Sequence, residues 1–232
     1  NGHVINGNNR TAFQINNPFA NITFNNITFV NCNIPINAIN AQKITFNNCT
    51  FEQNNENIII SCNCEFNDCQ FIDNIANNTS ILNIEDFCVL NDCYFLDNIA
   101  NNTSILNVEG VCVLNNAKFV NNVGGESLIL LNSTSNVEIN GSIFIQNDAD
   151  KIINAIKTLN KLNVTNNIII NSKSEYEIYA ESQPQECYLN YNWLGNTADN
   201  FNSPYKVNLD ANTWYFLNMT LMHDYANVSL NN

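Results

Sequence analysis

Short runs of alternating apolar and polar residues recur along the chain, and many are interrupted by a pair of asparagine or aspartate residues. Residues 66–71 (FNDCQF) are one example, with apolar residues on both sides of Asn67-Asp68. Alternation places successive side chains on opposite faces of an extended strand, and Asn or Asp pairs favour tight turns. The pattern therefore predicts strand–turn–strand units rather than amphipathic helices.

A repeat of 20 to 25 residues organises most of the sequence. Residues 64–87 are nearly copied at 88–111, displaced by 24 residues, and a looser third copy begins at Cys112. The strand–turn–strand element recurs at 24–29, 46–51, 66–71, 90–95, 114–119 and 139–144, with degenerate copies at 164–169 and 189–194. Because one unit cannot bury its own apolar face, successive units must stack with their strands in parallel. This predicts an all-β fold, a right-handed parallel β-helix of about eight or nine coils.

Each coil is expected to contain three strands, which in one repeat are 104–108, 111–114 and 117–120, followed by a longer return loop. The third strand should place Phe95 inward, stacked between the equivalent phenylalanines of the neighbouring coils, so that replacing Asn98 in the following turn costs less than replacing Phe95. Asparagines at the tight turn should form a ladder that passes amide hydrogen bonds between coils: Asn25, Asn47, Asn67, Asn91, Asn115 and Asn140.

Composition narrows the class of protein. The 232-residue chain carries a net charge of −13, with 8 Lys and Arg against 21 Asp and Glu, which argues against nucleic acid or an anionic membrane as partner. No apolar run approaches the roughly 18 residues of a spanning helix, so direct membrane insertion is not expected. We interpret 1–232 as a single, monomeric β-helix domain, in which 185–232 hold the last coil and a cap.

Several motifs support a family resemblance. They are GHVINGNNRTAFQI at 2–15, NITFNNITF at 21–29, the Phe-x-x-Asn elements ending at Asn54, Asn74, Asn98, Asn122 and Asn147, NYNWLGN at 190–196 and DANTWYFLNMTL at 210–221. With them the chain resembles the adhesin-like surface proteins of methanogenic archaea, which have a β-helix of the pectin lyase-like superfamily, and the repeats of chlamydial polymorphic outer-membrane proteins. The resemblance implies an extracellular, cell-surface protein that attaches to another cell, a surface glycan or a surface protein. It also implies that the region 185–232 ends in the start of a linker.

The pectin lyase-like fold also hosts polysaccharide lyases and glycoside hydrolases, so an enzyme is the main alternative. Such enzymes use a basic residue with calcium-binding carboxylates, or clustered carboxylates near a cation or histidine. This chain has one arginine, Arg10, and two histidines, His3 and His223, near opposite ends. We therefore expect a non-catalytic adhesin domain without a cofactor, with a purely structural stalk as a third interpretation.

Carboxylates and sequons suggest two further kinds of site. Asp73 and Asp97 stand one coil apart, so they either bridge a calcium ion or are solvated turn charges. Asn78 and Asn102 lie in the return loops and are the expected glycan acceptors among the Asn-x-Ser/Thr sequons.

Nine cysteines would suggest disulfides in a surface protein, but their positions indicate buried ladders instead. Two ladders are predicted on inward-facing strand positions, Cys64, Cys88 and Cys112 in one, and Cys49, Cys69 and Cys93 in the other. We expect Cys64, Cys88, Cys112, Cys69 and Cys93 to form no disulfides among themselves, because adjacent in-register positions are poor geometry for S–S closure.

A binding face is predicted on the first strand of each coil. If Leu82, Leu106 and Leu130 point inward, alternation places the residues beside them outward. The predicted binding residues are Ile81, Asn83, Ile105, Asn107, Ile129 and Leu131. An exposed apolar stripe of this kind usually marks an interaction site, although opposite parity or a covering return loop would remove it.

Overall fold

The computed structural model describes residues 2–170, 174, 176–193 and 205–206. Within this part of the chain all regular elements are β-strands, and the strands pair in parallel. They stack as a β-solenoid of about eight turns, as the eight-stranded sheets require. The predicted all-β parallel solenoid is confirmed. Of the predicted C-terminal region, the structure describes 185–193 and the strand Tyr205–Lys206, and the other residues of 185–232 lie outside the described part.

Each turn contributes one strand to each of three long sheets. Sheet A contains His3–Asn6, Ile27–Val30, Thr50–Glu52, Gln70–Ile72, Tyr94–Leu96, Lys118–Val120, Ile143–Ile145 and Ile168–Ile170. Sheet B contains Phe13–Asn16, Ile36–Asn40, Ile58–Ile60, Leu82–Ile84, Leu106–Val108, Ser127–Leu131, Lys151–Ala155, Tyr176–Ala180 and Tyr205–Lys206. Sheet C contains Asn21–Asn25, Lys43–Asn47, Asn63–Asn67, Cys88–Asn91, Cys112–Asn115, Asn136–Asn140, Lys161–Thr165 and Glu186–Tyr188.

Three coils also carry a short fourth strand that the sequence pattern does not predict. Sheet D consists of Ile75–Ala76, Ile99–Ala100 and Val123–Gly124. These two-residue strands follow sheet A and lie where the sequence predicted only a return loop. The loop is therefore partly ordered by parallel pairing, and a corner separates it from sheet B.

Stacked phenylalanines form the core beneath sheet A. Phe95 lies between Phe71 and Phe119, with 4.4 Å between ring centroids on each side and ring planes within 2° of parallel. All three side chains are fully buried. The in-register pairing of sheet A produces this stack, because each ring sits one strand spacing from the next. The predicted inward orientation of Phe95 is confirmed.

An outer asparagine ladder runs along the end of the sheet C strands. Each amide donates to the Oδ1 of the preceding coil, with distances of 2.8 to 3.0 Å from Asn47 to Asn25 and from Asn115 to Asn91. Asn67 and Asn91 continue the same series. The predicted ladder is confirmed from Asn25 to Asn115, whereas Asn140 instead accepts a hydrogen bond from Asn166.

A second asparagine ladder is buried at the end of sheet A. It consists of Asn54, Asn74, Asn98, Asn122 and Asn147, each 0 to 1 % exposed. The Asn98 amide donates to the Phe71 carbonyl at 2.8 Å and to Asn122 Oδ1 at 2.9 Å. These bonds satisfy polar groups that would otherwise be buried unpaired. The recurring Phe-x-x-Asn motif therefore has a structural role, which is to tie one coil to the next from inside.

The cysteine ladders are buried as predicted, but one expected thiol pair is bonded. Cys64 and Cys88 form a disulfide, which corrects the expectation that the ladder carries none. In-register pairing brings their Cα atoms to 4.7 Å, and this separation lies within the range that disulfides accept. Cys112, the next member, is free and buried, and burial raises the pKa of its thiol to about 12.

Candidate functional site

Four of the six predicted binding residues lie in the core. Ile81, Ile105, Ile129 and Leu131 are at most 1 % exposed, so they cannot contact a partner. The expectation that they form an exposed stripe on sheet B is wrong.

Two features of the backbone explain this error. The chain turns a corner before sheet B, so Ile81 and Leu82 are both buried although they are consecutive. In the third repeat, Leu106 pairs with Ile129 rather than with Leu130. The return loop there is one residue shorter, and a slip of one residue moves every following side chain to the opposite face.

The two predicted asparagines do occupy the outward row of sheet B. Asn83 and Asn107 are half-buried and in register, and the Asn107 amide donates to Asn83 Oδ1. Each amide also donates to a carboxylate two residues later, Glu85 at 3.2 Å and Glu109 at 3.1 Å. This part of sheet B is therefore a row of mutually bonded polar groups.

The longest outward apolar row lies on sheet A. We call it the sheet A stripe, and it consists of Ile72, Leu96, Val120, Ile145 and Ile170, which pair in register from coil to coil. All five side chains are half-buried. Beside the stripe, the first residues of the sheet D strands form a second apolar row, in which Ile75 is 42 % and Val123 is 38 % exposed.

The sequence does contain a pattern that would have located this stripe. Sheet A strands read Tyr-Phe-Leu, Lys-Phe-Val and Ile-Phe-Ile, with the buried phenylalanine in the middle. Because strand side chains alternate, the residue after each phenylalanine must point outward. The aliphatic residue that regularly follows the buried phenylalanine is a feature of the repeat that identifies sheet A, rather than sheet B, as the apolar outer face. Lys118 is the neighbour of Tyr94 in the outward row that precedes the phenylalanines.

The outer face of sheet C differs in chemistry. It carries the outer asparagine ladder and two ion pairs, Lys43 to Glu65 at 2.7 Å and Lys161 to Glu138 at 2.6 Å. Its central outward row includes two half-buried aliphatic residues, Val89 and Val113, between polar neighbours. Sheet C therefore offers amide and charged groups where sheet A offers aliphatic ones.

Asp73 and Asp97 are exposed at equivalent positions immediately after two sheet A strands. Both have positive φ, 52° and 54°, as do Gln53, Asn121 and Gln146 at the equivalent positions of other coils. Asp and Asn adopt this left-handed conformation more readily than most residues, so the turn itself accounts for these carboxylates. The described residues contain no group of three or more His, Cys, Asp or Glu side chains arranged to hold a metal ion, and calcium binding stays a prediction.

The predicted glycan acceptors Asn78 and Asn102 are both exposed in the return loops. The Asn102 amide donates to the Asn77 carbonyl oxygen at 3.1 Å, which links the two loops. Exposure is compatible with modification, and glycosylation stays a prediction.

The arginine and the two histidines of the chain were the candidates for cationic or imidazole chemistry. Arg10 and His3 are exposed in the first coil, and His223 lies outside the described residues. Among the residues described, no helix has the length and apolar character needed to cross a membrane.

Comparisons with known proteins add no relative. No family model, curated protein or solved structure matches this chain at a significant level. Inference about function therefore depends on the fold, the surfaces described above and the sequence motifs.

Proposed function

We propose that this β-solenoid is a non-catalytic adhesion domain of an extracellular, cell-surface protein, as its resemblance to archaeal adhesin-like proteins implies. Its partner is a component of another cell's surface. The observation that supports this proposal best is the sheet A stripe, which offers accessible aliphatic side chains along five consecutive coils. Contiguous apolar surface of this kind is typical of interaction sites.

The adjoining rows extend the surface in both directions. On one side lie Tyr94, Ile143 and Ile168, which are also outward and half-buried, with the exposed Lys118 between Tyr94 and Ile143. On the other side lie the sheet D residues Ile75 and Val123. Parallel pairing fixes the spacing of these side chains at one strand separation. Because the backbone is held on both sides by neighbouring coils, the surface is ordered before a partner arrives, and binding has little conformational entropy to offset.

Whole-cell binding tests this proposal. The fluorescently labelled 232-residue chain would be titrated onto a panel of archaeal, bacterial and protozoan cells, and bound chain measured by flow cytometry. The double substitution Leu96→Glu with Val120→Glu places two charges in the sheet A stripe, so we expect adhesion to fall to background. Circular dichroism and thermal melting would establish that the variant is folded.

The matched control uses the other face of the molecule. Val89→Glu with Val113→Glu changes two outward, half-buried aliphatic residues that pair in the same way on sheet C. This variant should adhere like the wild-type chain. Equal loss in both variants, or no binding of the wild-type chain to any cell in the panel, would contradict the proposal.

A further inference from the structure

A groove lies at the C-terminal end of the described outer face of sheet C. Its volume is about 380 Å³, and it is lined by the outward residues of Lys161–Thr165 and Glu186–Tyr188 and by the following turn. These strands pair so that Lys161 lies beside Glu186 and Asn163 beside Tyr188. The volume falls within the range of about 300–1,000 Å³ that is usual for small-molecule sites.

Two tyrosines give the groove its aromatic surface. Tyr188 is 45 % and Tyr191 is 53 % exposed, and both line the groove. Tyr191 has a positive φ of 64°, a conformation that is unusual for a bulky residue and that a fixed turn must hold. The Lys161 ammonium lies 5.9 Å from the centroid of the Tyr188 ring, which helps to orient that ring.

Polar groups surround these rings. Asn163, Thr165 and Asn166 line the groove from the neighbouring coil. The Oδ1 atom of Asn163 is buried and has no hydrogen-bond partner in the described part of the chain. A buried acceptor without a donor costs free energy, and since the terminal torsion of asparagine is soft, a small rotation would offer this oxygen to a ligand hydroxyl.

The local charge is slightly negative. Lys161 donates to Glu138 at 2.6 Å, and this bond raises the pKa of Lys161. Glu186 contributes a second, exposed carboxylate beside the same lysine. One ammonium therefore faces two carboxylates, so the groove should repel an anionic ligand rather than attract it.

We propose that this groove binds a neutral oligosaccharide. Sugar rings carry apolar C–H faces that pack on tyrosine rings, and their hydroxyls both donate to carboxylate or amide oxygens and accept from amide NH groups. The groove supplies these three kinds of group at once, and its negative charge disfavours uronic or sialic acids. The inference goes beyond the proposed adhesion surface, because it concerns a separate site on a different sheet.

A printed glycan array with neutral and acidic oligosaccharides tests the proposal with the 232-residue chain, followed by calorimetric titration of the strongest neutral oligosaccharide. We expect neutral glycans to be retained in preference to acidic ones. Tyr188→Ala should weaken binding about tenfold, since it removes an aromatic packing surface. Tyr188→Phe keeps the ring and should bind nearly as well as the wild-type chain.

Tyr179→Ala is the matched control. Tyr179 also lies under a lysine, with Lys151 Nζ 5.0 Å from its ring centroid, but it belongs to sheet B. This variant should keep full glycan affinity, and its melting temperature shows what loss of such a pair does to the fold. The inference would be overturned by an array without neutral glycan hits, by a preference for acidic glycans, or by unchanged affinity in Tyr188→Ala.

The cell-binding result separates this inference from the proposed function. A chain that adheres through the sheet A stripe but binds no neutral glycan refutes the groove and leaves the adhesion surface intact. Conversely, glycan affinity that survives Leu96→Glu with Val120→Glu supports an independent groove. If the same two substitutions leave cell adhesion unchanged, the sheet A stripe is refuted, but the groove is not.

Discussion

Sheets A and C of this solenoid have similar inward faces and different outward faces. Both place apolar residues inward, Phe95 on sheet A and Leu90 on sheet C, and both are fully buried. Outward, sheet A presents aliphatic residues from Ile72 to Ile170, whereas the described part of sheet C presents asparagines and ion pairs around one aliphatic pair, Val89 and Val113. The preference of β-strands for aliphatic side chains applies equally to both sheets. It therefore does not explain why the two faces differ.

The comparison indicates which positions the fold constrains. Inward ladders must be apolar because they build a continuous core, and turn positions with positive φ favour Asn, Asp or Gly, as at Asn116 and Gly141. Outward strand positions carry neither requirement. The outward residues can therefore differ between sheets A and C and can serve binding. The substitutions below test this distinction between inward and outward positions.

The largest effect is expected in the core of sheet A. Phe95→Ala removes a ring that is stacked on both sides, so it should lower the free energy of unfolding by about 3 to 5 kcal/mol. Leu96→Ala, the adjacent outward residue, should cost less than about 1 kcal/mol. Urea denaturation of both variants measures the difference. Equal losses would mean that the two faces of sheet A are not distinct.

The two asparagine ladders provide the next test. Asn98→Ala removes the side-chain donor to the Phe71 carbonyl and leaves the buried backbone N–H of Asn74 without its acceptor, which should cost about 3 kcal/mol, more than an ordinary turn residue would. Asn91→Ala breaks the outer ladder, where the groups left behind are only partly buried. That loss should be about 1 kcal/mol.

Thermal melting and urea titration would rank these two variants. An Asn91→Ala variant less stable than Asn98→Ala would contradict the assignment of the buried ladder as the stronger tie between coils.

The asparagine ladders also show how much of the fold the sequence could predict. The 24-residue repeat and the alternation around Asn67 and Asn91 were sufficient for the parallel solenoid, its inward phenylalanines and its outer amide ladder. Periodicity is a strong indicator because the same residue types must recur in every coil.

The predicted binding face failed for a local reason. Alternation gives two faces but not their parity near a corner, and Ile105 lies at such a corner. The loop before Ile129 is one residue shorter, so a register read from sequence alignment alone was displaced there. The groove beside Tyr188 is formed by residues that two neighbouring coils bring together. The sequence repeat contains no pattern that predicts it.

The charged face of sheet C should make a small, pH-dependent contribution. The hydrogen bond from Lys43, and secondarily that from Asn67, lowers the pKa of Glu65 below its ordinary value of 4.5. A lowered pKa in the folded state stabilises the protein above pH 4.5, and this contribution is lost as the pH falls through the folded-state value. Because the pair is substantially exposed, Glu65→Gln should cost under about 1 kcal/mol at neutral pH.

Urea denaturation at several pH values measures this effect. The difference between Glu65→Gln and the wild-type chain should shrink as the solution is acidified below pH 4.5. A difference that grows on acidification would contradict the assigned direction of the pKa shift.

Hydroxyl-radical footprinting of the cell-bound chain would show which face of the folded protein the partner covers. Oxidation of each side chain would be compared between free and cell-bound chain by mass spectrometry. If sheet A is the adhesion surface, Leu96 and Ile145 become protected on binding, while Val89 and Val113 on sheet C stay as reactive as in the free chain. Protection of the two valines with unchanged Leu96 and Ile145 would contradict it.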